Sequence, residues 1–260
     1  MIKKIKKQTL DLLLKNPRVF DSYRKFSDKF KNKSEEKLFL RKAVTNLNKP
    51  VKIIQIGAND GLRIDPVREL ILDFNCSALL VEADPVCFAS LKKNYLYLKE
   101  RDIRFEHAAI VPSEDDTLCF YSLSDEMRLN LSKDKQVILA RKASTDKSLF
   151  IEYLKEIGIE QPESAVVEQK VLTKTLDDLF NSYFVPNILV IDIEGLDWSL
   201  VQSLDFSRYL PEVIYFESKY PPNYQIQQLV LNNLEKADYE IHDLGYNIGC
   251  LQKDRFDRIN

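Results

Sequence analysis

Val51-Lys52-Ile53-Ile54-Gln55-Ile56-Gly57-Ala58-Asn59-Asp60-Gly61 is the stretch that decides the fold of this chain. A short β-rich apolar run enters a glycine-bearing turn. Asp65-Pro66 then caps a helix whose Val67, Leu70, Ile71 and Phe74 recur at amphipathic spacing. The unit repeats: Ala78-Leu79-Leu80-Val81 reads as a second strand and Asp84-Pro85 as a second cap. Phe88, Leu91, Tyr95 and Leu98 line the next helix, and Ile103 to Glu106 form a third strand. Strands alternating with helices predict a doubly wound α/β sheet, and ligands of such sheets bind at the carboxyl ends of the strands.

After Val111 the pattern breaks. Residues 112–147 are polar, with a strand at Thr117 to Tyr121, and a helix follows over 148–157. So long an interruption predicts a lid or substrate insertion at about 112–170. Thr175 and Asp178 predict a capped short helix, Ile188 to Ile193 a central strand, and Val213 to Glu217 a fifth strand. A helix over Tyr224 to Ala237 and a terminal hairpin over Tyr239 to Leu251, turning near Gly245, complete the pattern.

The chemistry falls at strand ends. Gly57 and Gly61 let the backbone turn under a ligand and approach it closely. With Ala58 and Asn59 they form a candidate cofactor loop. Its spacing is not GxGxxG, and Asp60 would repel a pyrophosphate, which favours a cationic ligand over a dinucleotide. Glu82 ends the second strand 21 residues beyond Gly61, where a carboxylate offers two acceptors to a vicinal ribose diol. Ala83 follows it. His107-Ala108-Ala109-Ile110, after the third strand, leaves room for a flat adenine ring, with His107 either its edge partner or a plain strand-end residue.

Asp192 and Glu194, in Ile191-Asp192-Ile193-Glu194-Gly195, would lie on one side by strand alternation. They are candidates to orient or deprotonate a hydroxyl, stabilise a cation, contact the cofactor through Asp192, or hold a hard divalent ion such as magnesium together with Glu217. A helix N-cap and first-turn acid is the plainer account of the pair. Glu217 carries the same ambiguity, and His107 is a further candidate base.

Upstream, residues 1–49 carry 15 Lys and Arg against 5 Asp and Glu, leaving 23 against 35 in the remainder. This basic helical arm precedes a domain spanning 50–260. Its surface can pair with its own acidic domain, with a second copy in a homodimer, or peripherally with anionic membrane. Nucleic acid is disfavoured because no reading motif is present. Phe20, Tyr23, Phe26 and Phe30 recur at helical spacing as a packing stripe. Ser34 reads as the cap of a second helix with Leu40, Val44 and Leu47 on one face. The apolar content of 45% suffices for a sizeable core, and nothing approaches a membrane span. Cys76, Cys87, Cys119 and Cys250 lack metal-ligand spacing and suit a reducing cytoplasm.

In order, Ile56 to Gly61, Val81-Glu82-Ala83-Asp84-Pro85, His107 to Ile110, Thr175-Leu176-Asp177-Asp178-Leu179, Ile191 to Asp197, Ser203 to Phe206 with Pro211, and Ile214 to Glu217 resemble the FkbM family of methyltransferases. The resemblance runs over about residues 51–251. It implies a Rossmann-like class I fold with an antiparallel last strand. It also implies S-adenosylmethionine as cofactor and methyl transfer to oxygen, often on a sugar of a glycan or surface polysaccharide or on a secondary metabolite. Residues 122–148 depart from the family pattern and would set the acceptor. Two rivals keep the same sheet: a noncatalytic cofactor-binding scaffold or partner subunit, and an NAD-dependent oxidoreductase.

Overall fold

The computed structural model describes residues 15–28, 35–62, 65–113, 117–131, 139, 147–193 and 195–256. The first unit forms as its sequence dictates. Strand β1 (Lys52–Ile56) is followed by helix Pro66–Phe74, β2 (Ser77–Glu82), helix Pro85–Tyr95 and β3 (Ile103–His107). Both Asp-Pro caps are made. Asp65 accepts from the amides of Val67 and Arg68, and Asp84 from those of Val86 and Cys87, leaving proline at the position where no amide is needed.

Farther along come β4 (Ala109–Ile110), β5 (Thr117–Leu123), β6 (Val166–Lys174), β7 (Ile188–Ile191), β8 (Val213–Glu217), β9 (Tyr239–Asp243) and β10 (Asn247–Gln252). Among the described residues β3-β2-β1-β7-β8-β10-β9 form a seven-stranded sheet. It is parallel through β8, and β10 runs antiparallel to both β8 and β9. This is the expected Rossmann-like, doubly wound and mostly parallel sheet with its antiparallel terminal hairpin.

Each inner strand is apolar on both faces, so both must be covered. Ile54, Ile56, Val81, Ile191 and Phe216 pack against Leu179, Trp198, Leu200 and Leu234 from the helices Leu176–Ser182, Asp197–Ser203 and Tyr224–Lys236. On the opposite face Ile53, Leu80, Val190 and Tyr215 meet Val67, Leu70 and Leu91, together with Leu40, Ala43 and Val44 of the arm helix Glu35–Leu47. Thr175 caps Leu176–Ser182 in a full capping box with Asp178.

The basic arm therefore lies on its own sheet. Glu69 takes Arg24 at 2.5 Å and Lys37 at 2.6 Å, Asp73 takes Arg41 at 2.6 Å and Lys25 at 3.2 Å, and Glu212 takes Lys49 at 2.6 Å. Burial pushes the Glu69 carboxyl up, but Lys37 and Arg24 outweigh it and hold it below its ordinary value. Phe39 rests on Gly249 of β10, where a Cβ would come within 2.5 Å of the ring. Of the aromatic stripe expected on the first arm helix, Pro17–Asp28, Phe20 is half-buried and Tyr23 exposed. Tyr23 is 47% exposed whereas Asp21 is buried, so a charged contact seats this helix. The side chain of Phe26, with Phe30 and Ser34, lies outside the described residues.

The described residues of the interruption after Val111 include a strand, β6, that the sequence did not suggest. β4 pairs parallel to β6 and β5 pairs antiparallel to it, making a three-stranded sheet. Leu123, Leu139, Phe150, Leu154, Ile159 and Ala165 form a separate small core beneath it.

Candidate functional site at the carboxyl ends of the strands

Gly57 adopts φ +81° and Gly61 φ +61°, as the turn requires, and Asn59 between them takes the left-handed conformation at φ 50°. A Cβ on Gly57 would stand 1.8 Å from the Asp192 carbonyl oxygen, and one on Gly61 would stand 2.3 Å from the Leu91 side chain. Glycine at both positions lets the loop close against the Asp192 carbonyl and helix Pro85–Tyr95.

The loop is tied to β2. Gly57 and Ala58 donate to the Val81 carbonyl at 3.0 and 2.9 Å. Glu82 is buried and accepts from Asn59 N through one oxygen at 2.7 Å and from Asp84 N through the other at 2.8 Å. The Ala83 amide is a third donor to this carboxylate. Burial pushes the Glu82 carboxyl up to about 7, helped by the charge of Asp84 and opposed by the amides of Asp84 and Asn59. A ligand that donates hydrogen bonds to the carboxylate would favour the ionised form. Asp60 stays within the loop and accepts from Leu62 N at 3.0 Å.

His107 pairs with Glu82 in the register of β2 and β3. Its ring stacks on Phe88, with centroids 4.7 Å apart, and its Nε2 lies 3.1 Å from the Ala83 carbonyl, placed to donate to it. Ala108 and Ala109 are buried, and Ala109 opens β4. These groups gather around the end of β2.

The catalytic candidates divide. Strand β7 stops at Ile191, so the alternation expected to align Asp192 with Glu194 does not extend to them. Glu194 lies outside the described residues. Asp192 is exposed just past the strand, its amide bonded to the Ile56 carbonyl at 3.0 Å and its own carbonyl against Gly57. The last registered pair of β7 and β8 is Ile191 with Phe216, which sets Asp192 and Glu217 on neighbouring strand ends. Buried Tyr215 reports on both: burial raises its phenol, and the charges of Glu36, Asp192 and Glu217 raise it further. His107 belongs elsewhere, three strand spacings from β7, or about 14 Å. The fold does not bring it to Asp192.

Among the described residues no three His, Cys, Asp or Glu gather to hold a metal ion; of the magnesium candidates Asp192 and Glu217 are among those residues, and Glu194 is not. Nor is any helix among them long and apolar enough to cross a membrane.

Sequence reasoning missed two residues that build the site. Buried Asp197 accepts from Ile193 N and Gly195 N, each at 3.1 Å, and so shapes the turn that carries Asp192. Its place two residues after Gly195 was a visible turn signal. Arg68 is 1% exposed beneath the cofactor loop. It stands three residues before Ile71, on the apolar side of its helix, which was the only sign.

The family model described as methyltransferase FkbM domain matches residues 55–248. Among solved structures the chain is similar to methyltransferase FkbM from Methylobacillus flagellatus KT, with 13% identity and a TM-score of 0.44 over 78% of this chain and 43% of that one. It is also similar to precorrin-6y C5,15-methyltransferase from Geobacter metallireducens GS-15, with 9% identity and a TM-score of 0.40 over 80% and 82%. Aeropyrum pernix fibrillarin, in complex with natively bound S-adenosyl-L-methionine, gives 11% identity and a TM-score of 0.36 over 79% and 68%. No curated protein matches the chain.

Proposed function

The chain belongs to the FkbM methyltransferase family, and we propose on that premise that it methylates a hydroxyl oxygen using S-adenosylmethionine, with a sugar as the acceptor. The observation that carries the cofactor is Glu82: a buried carboxylate, braced by Asn59 and Asp84 amides, at the end of β2 beside a tight glycine turn. Its remaining acceptor capacity suits a ribose hydroxyl. Asp60 and Glu82 together favour a cationic cofactor over one that carries a pyrophosphate.

The bound cofactor supplies an electrophilic methyl group on a positively charged sulfur. The protein's task is then to place the acceptor oxygen in line and to take its proton. Asp192, exposed at the end of β7 next to β1, is the group we assign to that proton, with Glu217 beside it on β8. His107 serves the nucleoside end instead, held by Phe88 and the Ala83 carbonyl.

The sugar reading rests on the rim past Glu217. Tyr220, Tyr224 and Tyr246 are 45%, 72% and 69% exposed. Ser218 N donates to the Tyr246 carbonyl at 2.8 Å, which ties the loop after β8 to the hairpin turn. Exposed phenol rings offer flat apolar faces with a polar tip, a surface that suits a pyranose. Free thiols at Cys76, Cys87, Cys119 and Cys250 accord with a cytoplasmic setting.

Calorimetric titration with S-adenosylmethionine, and separately with NADH, tests the cofactor. Saturable binding of the first alone is expected, and binding of NADH alone or of neither would overturn the reading. Mass spectrometry of glycan acceptors incubated with enzyme and S-adenosylmethionine, with and without magnesium, then tests the acceptor.

A further inference from the structure

One side chain of the first arm helix, Asp21, meets Arg68 beneath the cofactor loop. Arg68 and Asp21 form a buried fork: Nε lies 2.9 Å from Oδ1 and Nη2 lies 2.9 Å from Oδ2. Tyr97 donates its hydroxyl to the same Asp21 carboxylate. The guanidinium has donors left over, and they go to main chain. Nη1 donates to the Gly61 carbonyl at 2.8 Å and Nη2 to the Asn94 carbonyl at 3.0 Å. Its flat face covers the Tyr95 ring at 4.5 Å, and Asn94 Nδ2 donates to the Asp60 carbonyl at 2.8 Å.

Two consecutive carbonyls of the loop, Asp60 and Gly61, are thus gripped from beneath, while Glu82 grips the Asn59 amide from the other side. A planar guanidinium can bind a carboxylate in bidentate fashion and still brace the backbone, whereas a lysine offers one point of charge. The buried arginine needs a counter-charge, and the arm supplies it.

We propose that Asp21 and Arg68 are positioning residues: a strut by which the helix Pro17–Asp28 sets the cofactor loop, so that cofactor affinity depends on arm docking without any cofactor contact from the arm. The cofactor half of this inference rests on the S-adenosylmethionine reading above.

The test uses the full chain in three variants. Asp21→Asn removes the counter-charge. Arg68→Lys keeps the charge pair but loses the fork, and it covers the case in which the first variant fails to fold. Arg41→Gln breaks a different arm contact, the ion pair with Asp73, and serves as control. Hydrogen exchange of the cofactor-free protein is read at Asn59 to Leu62 and, for comparison, in β7 and β8. Titration with S-adenosylmethionine follows.

The strut predicts exchange at Asn59 to Leu62 faster by roughly 10-fold in the two strut variants, with β7 and β8 unchanged, and a cofactor Kd weakened by a similar factor. Arg41→Gln changes neither. Loop exchange at the wild-type rate in folded variants would overturn the strut, and so would equal acceleration across the whole sheet. If the wild type binds no S-adenosylmethionine, the functional reading falls, and loop exchange still decides the strut.

Discussion

The cofactor loop and the segment between Val111 and Thr175 are built on opposite plans. The loop is short, its glycines are pressed against Asp192 and Leu91, and its polar groups are held by Glu82 and Arg68. The later segment makes a small sheet over its own core, and β6 leaves Leu172 67% exposed. A site for an unvarying ligand can be fixed by backbone and buried charge. A segment with a core of its own can change its outward side chains without disturbing the main sheet. Under the proposed function, cofactor binding falls to the first region and acceptor choice to the second and to the tyrosine rim.

The sharpest way to break the comparison is Gly57→Ala. The added Cβ would overlap the Asp192 carbonyl at 1.8 Å in a left-handed backbone, so a loss of more than about 4 kcal/mol, or failure to fold, is expected in chemical denaturation. A mild effect would mean that the β1 and β7 loops are not locked together. Glu82→Ala comes next. It leaves the Asn59 and Asp84 amides without their acceptor and should weaken S-adenosylmethionine binding by about 100-fold in calorimetry. Wild-type affinity would end the ribose assignment. Asp192→Asn should cost turnover about 100-fold while the cofactor Kd stays near wild type. Unchanged turnover would remove Asp192 as the base.

Glu82 also gives the comparison a pH signature. Its carboxyl rises from an ordinary 4.5 to about 7 on folding, so the protonated form is the one the apoprotein prefers. The stability it contributes is full below about 4.5 and declines until about 7 as the pH rises. The denaturation midpoint of wild type relative to Glu82→Ala should follow that slope. Cofactor binding runs the other way, because a diol donates to the ionised carboxylate, so affinity should fall as the pH drops below about 7. The smallest effect is expected at the rim: Tyr246→Ala should raise the acceptor KM by roughly 3- to 10-fold with cofactor binding intact. No change in KM would move acceptor recognition off the tyrosines.

The sequence made the parallel units legible because their signals are local. An Asp-Pro cap, a 3.6-residue apolar period and a glycine turn each act within a few residues, and the helices and strands from β1 to β3 follow them. Strand β6 escaped because its residue types do not follow its burial: Gln169 and Thr173 share the inward face with Val167 and Val171, while Leu172 stands exposed beside Glu168 and Lys170. Val166 to Lys174 mixes charges and β-branched residues with no clean alternation, so no period betrays it. The cofactor loop and Glu82 were readable from spacing along the chain. The ending of β7 before Asp192, the distance of His107 from it and the grip of Arg68 on Gly61 were not.

Composition, strand and helix periodicity, and the ordered motifs determined the fold class and the family by themselves, because apolar spacing states which surfaces must be buried. Tertiary structure alone decided which polar side chains meet. Asp21 and Arg68 stand 47 residues apart and form one fork, because a buried guanidinium must find a carboxylate wherever the fold brings one. That pairing is a property of three-dimensional packing, and no spacing along the chain encodes it.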